Sequence, residues 1–154
     1  MKKIMITTAI VIGGLLLLAI GFMAYNKIIP IGLGMHKPVY QRNNIALDGY
    51  DVTSYFKDDL VKGSPGYSAT YKEVTWYFVS DANKEEFLSN PEQYIPQYGG
   101  YCAKAVSTGF AAPANPSVFT VYQDKLYIFT DEEVKSAFLN EPNSLISACN
   151  SKWK

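Results

Sequence analysis

The sequence predicts an α+β fold in which small antiparallel hairpins pack with short helices, preceded by one N-terminal transmembrane helix or signal segment. Three observations carry this expectation. An uncharged apolar run opens the chain after Met1-Lys2-Lys3. Two stretches rich in β-branched and aromatic residues then fold back over short polar turns, which is the pattern of a hairpin. Each hairpin leads straight into a short helical segment that a proline closes.

Ile4 to Tyr25 carries no charge before Asn26 and Lys27. At ~1.5 Å per residue the run reaches roughly 30 Å, enough to cross a hydrocarbon core as a helix. Ala19-Ile20-Gly21 offers a small-x-small cleavage site, so two alternatives stand: an uncleaved anchor, or a signal peptide cut before Phe22. Lys2 and Lys3 should stay cytoplasmic, which places the rest on the extracytoplasmic side, membrane-anchored, or secreted or periplasmic after cleavage. Residues 1–27 are therefore read as anchor or signal peptide. Residues 28–44, with Pro30, Gly32, Gly34 and Pro38 and no regular period, are read as a tether. Residues 45–154 form the domain, about the size of one ordinary folding unit.

Within it, Asp48-Gly49 signals a turn and Asp51 can cap a short helix through Phe56. Ser68 to Tyr71 and Val74 to Val79 form the first hairpin around Lys72-Glu73, and Ser80 caps a helix from Asp81 to Leu88. Val118 to Tyr122 and Lys125 to Phe129 form the second, followed by a helix from Asp131 to Leu139 with Thr130 and Glu133 as a Thr-x-x-Glu capping box. Trp76-Tyr77-Phe78-Val79-Ser80-Asp81 lines up with Leu126-Tyr127-Ile128-Phe129-Thr130-Asp131, and Phe87-Leu88 with Pro91 answers Phe138-Leu139 with Pro142. This is either an internal pseudo-duplication or the coincidence of two common hairpin–helix units.

Fourteen basic and fourteen acidic side chains cancel, so the chain lacks the positive field that collects phosphates and no nucleic-acid partner is expected. Two cysteines do not make a disulfide framework; a single Cys102–Cys149 bridge and two free thiols both remain open. Candidate chemistry centres on Tyr98-Gly99-Gly100-Tyr101-Cys102, where Gly99-Gly100 frees the backbone and Ala103 to Val106 favours helix. Cys102 then lies in a first turn, where unpaired N–H groups stabilise a thiolate, framed by Tyr98 and Tyr101. The competing reading is a small buried thiol. No catalytic set assembles, because the one histidine, His36, falls in the tether and there is no Cys-x-x-Cys. A soft metal such as copper could use Cys102, with Cys149, Met35 and His36 as further donors in principle. Asp48, Tyr50 and Asp51 are a second candidate binding group, although Asp at such places usually serves turns and caps.

Ala46-Leu47-Asp48-Gly49-Tyr50-Asp51-Val52-Thr53-Ser54-Tyr55-Phe56, Trp76-Tyr77-Phe78-Val79-Ser80, and Pro91-Glu92-Gln93-Tyr94-Ile95-Pro96-Gln97-Tyr98-Gly99-Gly100-Tyr101-Cys102-Ala103 occur in this order. Together they resemble the exported branch of the YHS-domain family, related to the TRASH-like metal-binding modules. The resemblance spans about Ile45 to Trp153 and implies a compact α+β fold and thiolate binding of copper or similar metals. The metal-binding branch carries Phe-Cys-Ser-x-x-Cys, whereas this chain has Phe78-Val79-Ser80-Asp81-Ala82-Asn83. Of the pattern's sulfur positions, Cys102 alone remains. The expected function is thus a non-enzymatic exported binding module, for copper or another soft metal through Cys102. The alternatives are a metal-free structural or protein-interaction domain of the cell envelope, and a thiol-dependent redox protein.

Overall fold

The computed structural model describes residues 2–57 and 59–153, with side chains of the N-terminal helix described from Ile10 onward. The fold is mixed α+β. Helix α1 (Lys2–Tyr25) leads into strand β1 (Ile29–Pro30) through Asn26–Ile28, where the Ile28 N–H still donates to Met23 O at 2.9 Å. Strands β2 (Gln41–Arg42) and β3 (Ile45–Ala46) follow, then 3₁₀ turns at Leu47–Gly49 and Val52–Phe56. The first long hairpin is β4 (Ser64–Tyr71) and β5 (Val74–Phe78), followed by α2 (Asp81–Ser89) and α3 (Pro91–Tyr94). A 3₁₀ turn at Gln97–Gly100, helix α4 (Ala103–Ser107) and strand β6 (Phe110–Ala111) lead to the second hairpin. That unit is β7 (Asn115–Tyr122), β8 (Lys125–Phe129), α5 (Glu132–Asn140) and α6 (Pro142–Lys152).

Residues 28–44, expected to be a tether, are folded onto the domain instead. β1 pairs antiparallel with β6, β2 pairs with β3, and Ile31 and Val39 are buried. Apolar side chains between the prolines and glycines explain the difference: they give the segment a surface to bury despite its lack of a period. Among the described residues no helix is long and apolar enough to cross a membrane. The backbone of α1 covers Lys2–Tyr25, but the side chains described, Ile10 to Tyr25, fall short of the ~20 residues a span needs. Lys2 and Lys3, on which the expected orientation rests, have side chains outside the described set. From Ile10 onward the helix makes little use of the domain: Leu17 and Leu18 are 70 % and 72 % exposed.

The two hairpin–helix units recur at a constant spacing of 51 residues. β4 and β7 each run eight residues with a register shift at the same place, between Ser64/Ser68 and between Asn115/Phe119. Both turns place two non-glycine residues at positive φ, Lys72-Glu73 at 50° and 62° and Gln123-Asp124 at 51° and 56°, the geometry that matches strand twist in a two-residue hairpin. Phe87 and Phe138 are the matching anchors. Phe87 stacks on Trp76 (5.2 Å), Phe78 (5.3 Å) and edge-on to Tyr71 (5.9 Å). Phe138 meets Tyr127 (5.0 Å), Phe129 (5.1 Å) and Tyr122 (6.3 Å) in the same arrangement.

This spacing corrects the alignment expected from sequence, which was one residue short across the strand. Trp76 answers Tyr127, and Ser80 answers Asp131. The cap itself decides the register: Ser80 Oγ accepts from Asn83 N, and Asp131 Oδ1 accepts from Val134 N at 2.8 Å, so Asp131 and not Thr130 starts the second helix. A short carboxylate at the N-cap reaches the third N–H well, and the Thr130–Glu133 box does not form. The two halves share β8 as a wall. Leu126 and Ile128 join the core around Phe87, while Tyr127 and Phe129 join that around Phe138, as alternation along a strand requires. Its last four residues are accordingly buried on both faces.

Candidate functional site

The 51-residue spacing extends upstream of the hairpins and brings the two candidate groups into correspondence. Leu47-Asp48-Gly49-Tyr50-Asp51 answers Tyr98-Gly99-Gly100-Tyr101-Cys102. Leu47 and Asp48 both sit at φ 50°, Gly49 at 84°; Tyr98, Gly99 and Gly100 sit at 56°, 63° and 81°. Tyr50 and Tyr101 then return to extended backbone at φ −69° and −70°. Asp51 N–H donates to Val61 O at 2.9 Å and Cys102 N–H to Ala112 O at 3.1 Å. Each residue is the N-cap of the short helix that follows, Val52–Phe56 or Ala103–Ser107. Cys102 is thus the counterpart of Asp51.

The two caps differ in what they hold. Asp51 is fully buried, and its side chain accepts four hydrogen bonds. Thr53 N and Thr53 Oγ1 donate to Oδ1, both at 2.9 Å. Val79 N donates to Oδ2 at 2.9 Å and Asn83 Nδ2 at 2.7 Å. Asn83 Oδ1 in turn accepts from Lys57 Nζ, which also pairs with Glu86 at 2.7 Å, and Tyr94 OH donates to the other Glu86 oxygen. The Lys57 hydrogen bond holds the Glu86 carboxyl below its usual range. So the carboxylate closes the first unit by tying its 3₁₀ turn to the end of β5 and the start of α2.

Cys102 is 2 % exposed and packs in the core with Leu126 and Ile128. Its side chain makes no capping hydrogen bond. Cys102 Sγ lies 3.9 Å from Thr130 Oγ1, the counterpart of Val79. Cys149 is fully buried and donates to Ala103 O at 3.1 Å; both cysteines are free thiols. Burial pushes the Cys149 thiol up to about 11 and raises Tyr98 and Tyr101. Among the described residues no three His, Cys, Asp or Glu side chains converge as a metal-ligand group.

The other candidates are spread over the surface and core. Asp48 pairs with Arg42 at 3.2 Å, and Lys62 Nζ lies 4.9 Å above the Tyr50 ring, so both face outward from Asp51. Tyr98 OH donates to Asn150 Oδ1 at 3.1 Å. Tyr101 is buried between Tyr40 (5.3 Å) and Trp153 (5.8 Å). His36 lies over Trp153 at 4.5 Å and edge-on to Tyr101 at 6.0 Å, while Met35 is 66 % exposed. Gly99 is required here, because a Cβ would lie 2.1 Å from Pro38 O, and Gly99 O accepts from Tyr40 N at 2.9 Å. The aromatic frame therefore clamps residues 36–40 onto the turn and does not open a path to the sulfur.

Sequence reasoning missed Asn83 and Thr53 as partners of Asp51. A 51-residue alignment would have exposed the Asp51–Cys102 correspondence, although not the long-range bonds. Comparison with protein-family models, with curated proteins and with solved structures finds no match for this chain.

Proposed function

We propose that this chain is a membrane-anchored, non-catalytic structural or interaction module of the cell envelope, YHS-like in sequence, built from two pseudo-duplicated hairpin–helix units. One observation carries this choice over metal binding. Every position where the YHS resemblance places sulfur is committed to the fold: Val79 N and the Asn83 side chain both bond Asp51 Oδ2, and Cys102 is enclosed. A hydrogen-bonded carboxylate with its donors aimed inward has closed the space that paired thiolates would need. Copper or another soft metal could reach Cys102 only after the core around Leu126 and Ile128 opened.

The exposed apolar surface of α1 supports anchoring, since that much hydrocarbon needs a non-aqueous environment. The domain would then stand on the extracytoplasmic side. The test compares melting of the full-length protein with and without Cu(I). Superimposable curves are expected; a copper-dependent rise that vanishes in Cys102→Ser would overturn the metal-free reading. Retention in the membrane pellet after carbonate extraction tests the anchor separately.

A further inference from the structure

The junction between α1 and the domain contains two adjoining clefts that share Met23, Ala24, Ile28, Ile29 and Met35. One, of about 340 Å³, is walled by apolar residues, with Ile20 on the helix and Leu33 on the loop at its mouth. The other, of about 500 Å³, continues from it to a polar end formed by Lys27, Lys37, Gln41 and Asn43. Both volumes lie in the range of small-ligand sites. No acidic residue lines either cleft among the described residues.

The loop that forms the outer wall turns its apolar side chains outward. Leu33 is 62 % exposed and Met35 66 %, although Ile31 beside them is buried. The wall is nonetheless held in place. Ile31 N–H donates to Gly109 O at 2.9 Å, β1 pairs with β6, and Gly34 closes the 3₁₀ turn Ile31–Leu33 at φ 63°. The hydrocarbon is therefore displayed by a braced segment and is not the by-product of a loose one.

We infer that this continuous groove seats one anionic phospholipid, its acyl chain along Met23 and Leu33 and its phosphate between Lys27 and Lys37. The layout matches such a molecule in chemistry: hydrocarbon around Ile20, Met23 and Leu33, and cations and amides at Lys27, Lys37, Gln41 and Asn43. Two cations with no acid among the described lining residues favour a negative headgroup. The source of the lipid rests on the membrane-anchored reading, because the last turn of α1 then lies at the bilayer interface. The groove itself does not.

The experiment is native mass spectrometry of the full-length chain in detergent, titrated with phosphatidylglycerol or phosphatidylcholine. Phosphatidylglycerol should bind as a single molecule, at least about tenfold tighter than phosphatidylcholine. Lys27→Ala/Lys37→Ala should remove that preference, Lys27→Arg/Lys37→Arg should keep it, and Leu33→Glu should weaken both lipids. All these positions are exposed, so melting of the variants should match wild type. Equal affinity for the two lipids, or a preference unchanged in the alanine pair, would overturn the proposal. Loss of the chain from the carbonate-washed pellet alongside intact lipid preference would overturn the anchor and leave the groove standing.

Discussion

The two halves of the domain, 47–95 and 98–146, share one backbone and close it by different means. In the first, a buried carboxylate gathers four donors from the 3₁₀ turn, β5 and α2. In the second, the same cap position holds a sulfur packed against Leu126 and Ile128, with Thr130 Oγ1 at 3.9 Å. The backbone dihedrals hardly register the exchange, so the turn with consecutive positive φ values is specified by its surroundings rather than by its cap. Each half can hold its aromatic anchor because hairpin, helix and proline are spaced alike. The difference shows where the fold depends on polar bonds and where it depends on packing.

The largest effects should come from what the halves have in common. Phe87→Ala and Phe138→Ala each remove a fully buried ring in contact with three or more aromatics, and each should cost about 3–5 kcal/mol. Phe87 also meets Tyr94, so its loss should be the greater. Chemical denaturation of the full chain in detergent measures both; one variant near wild type while the other collapses would break the idea of equivalent cores. The caps should then separate the halves. Asp51→Ala strands the buried Thr53 N and Thr53 Oγ1 and unpairs Val79 N and the Asn83 amide, and should cost about 3 kcal/mol, whereas Cys102→Ala removes one buried heavy atom for about 1 kcal/mol. Equal losses at the two caps would mean that the sulfur is tied into the structure more tightly than its surroundings indicate.

The same contrast marks what could be read from the sequence. The hairpins, the Ser80 cap and the bond from Thr53 N to the Asp51 cap are local decisions, made by residues within a few positions of one another, and the structure contains them all. The 28–44 segment was not legible in that way. Its place depends on β1 meeting β6 and on His36 meeting Trp153, partners 80 or more residues away in the chain. The one-residue slip between the units arose because Thr130 and Asp131 are both acceptable caps by residue type, and the bond from Val134 N to Asp131 Oδ1 distinguishes them. The candidate site suffered most. Tyr98 and Tyr101 belong to one core cluster and Cys102 to the other, and nothing in their spacing told which way the sulfur faced.

Alkaline titration is the finest probe of the surroundings of Cys149. Burial raises Cys149 from an ordinary value of 9.0 to about 11, because its enclosed site disfavours the charged thiolate. A group raised in the folded state contributes stability that is complete below its unfolded pKa and is lost as pH climbs through the folded one. The window is therefore pH 9 to about 11. By pH 10 the loss traceable to Cys149 should be about 1 kcal/mol. Tyr98, Tyr101 and Tyr127 are raised by burial as well and add their own alkaline losses. The informative quantity is accordingly the difference between wild type and Cys149→Ala, each measured at pH 7 and pH 10. Wild type should fall further than the variant; parallel falls would place the Cys149 sulfur in contact with water and weaken the case for a second core sealed by packing alone.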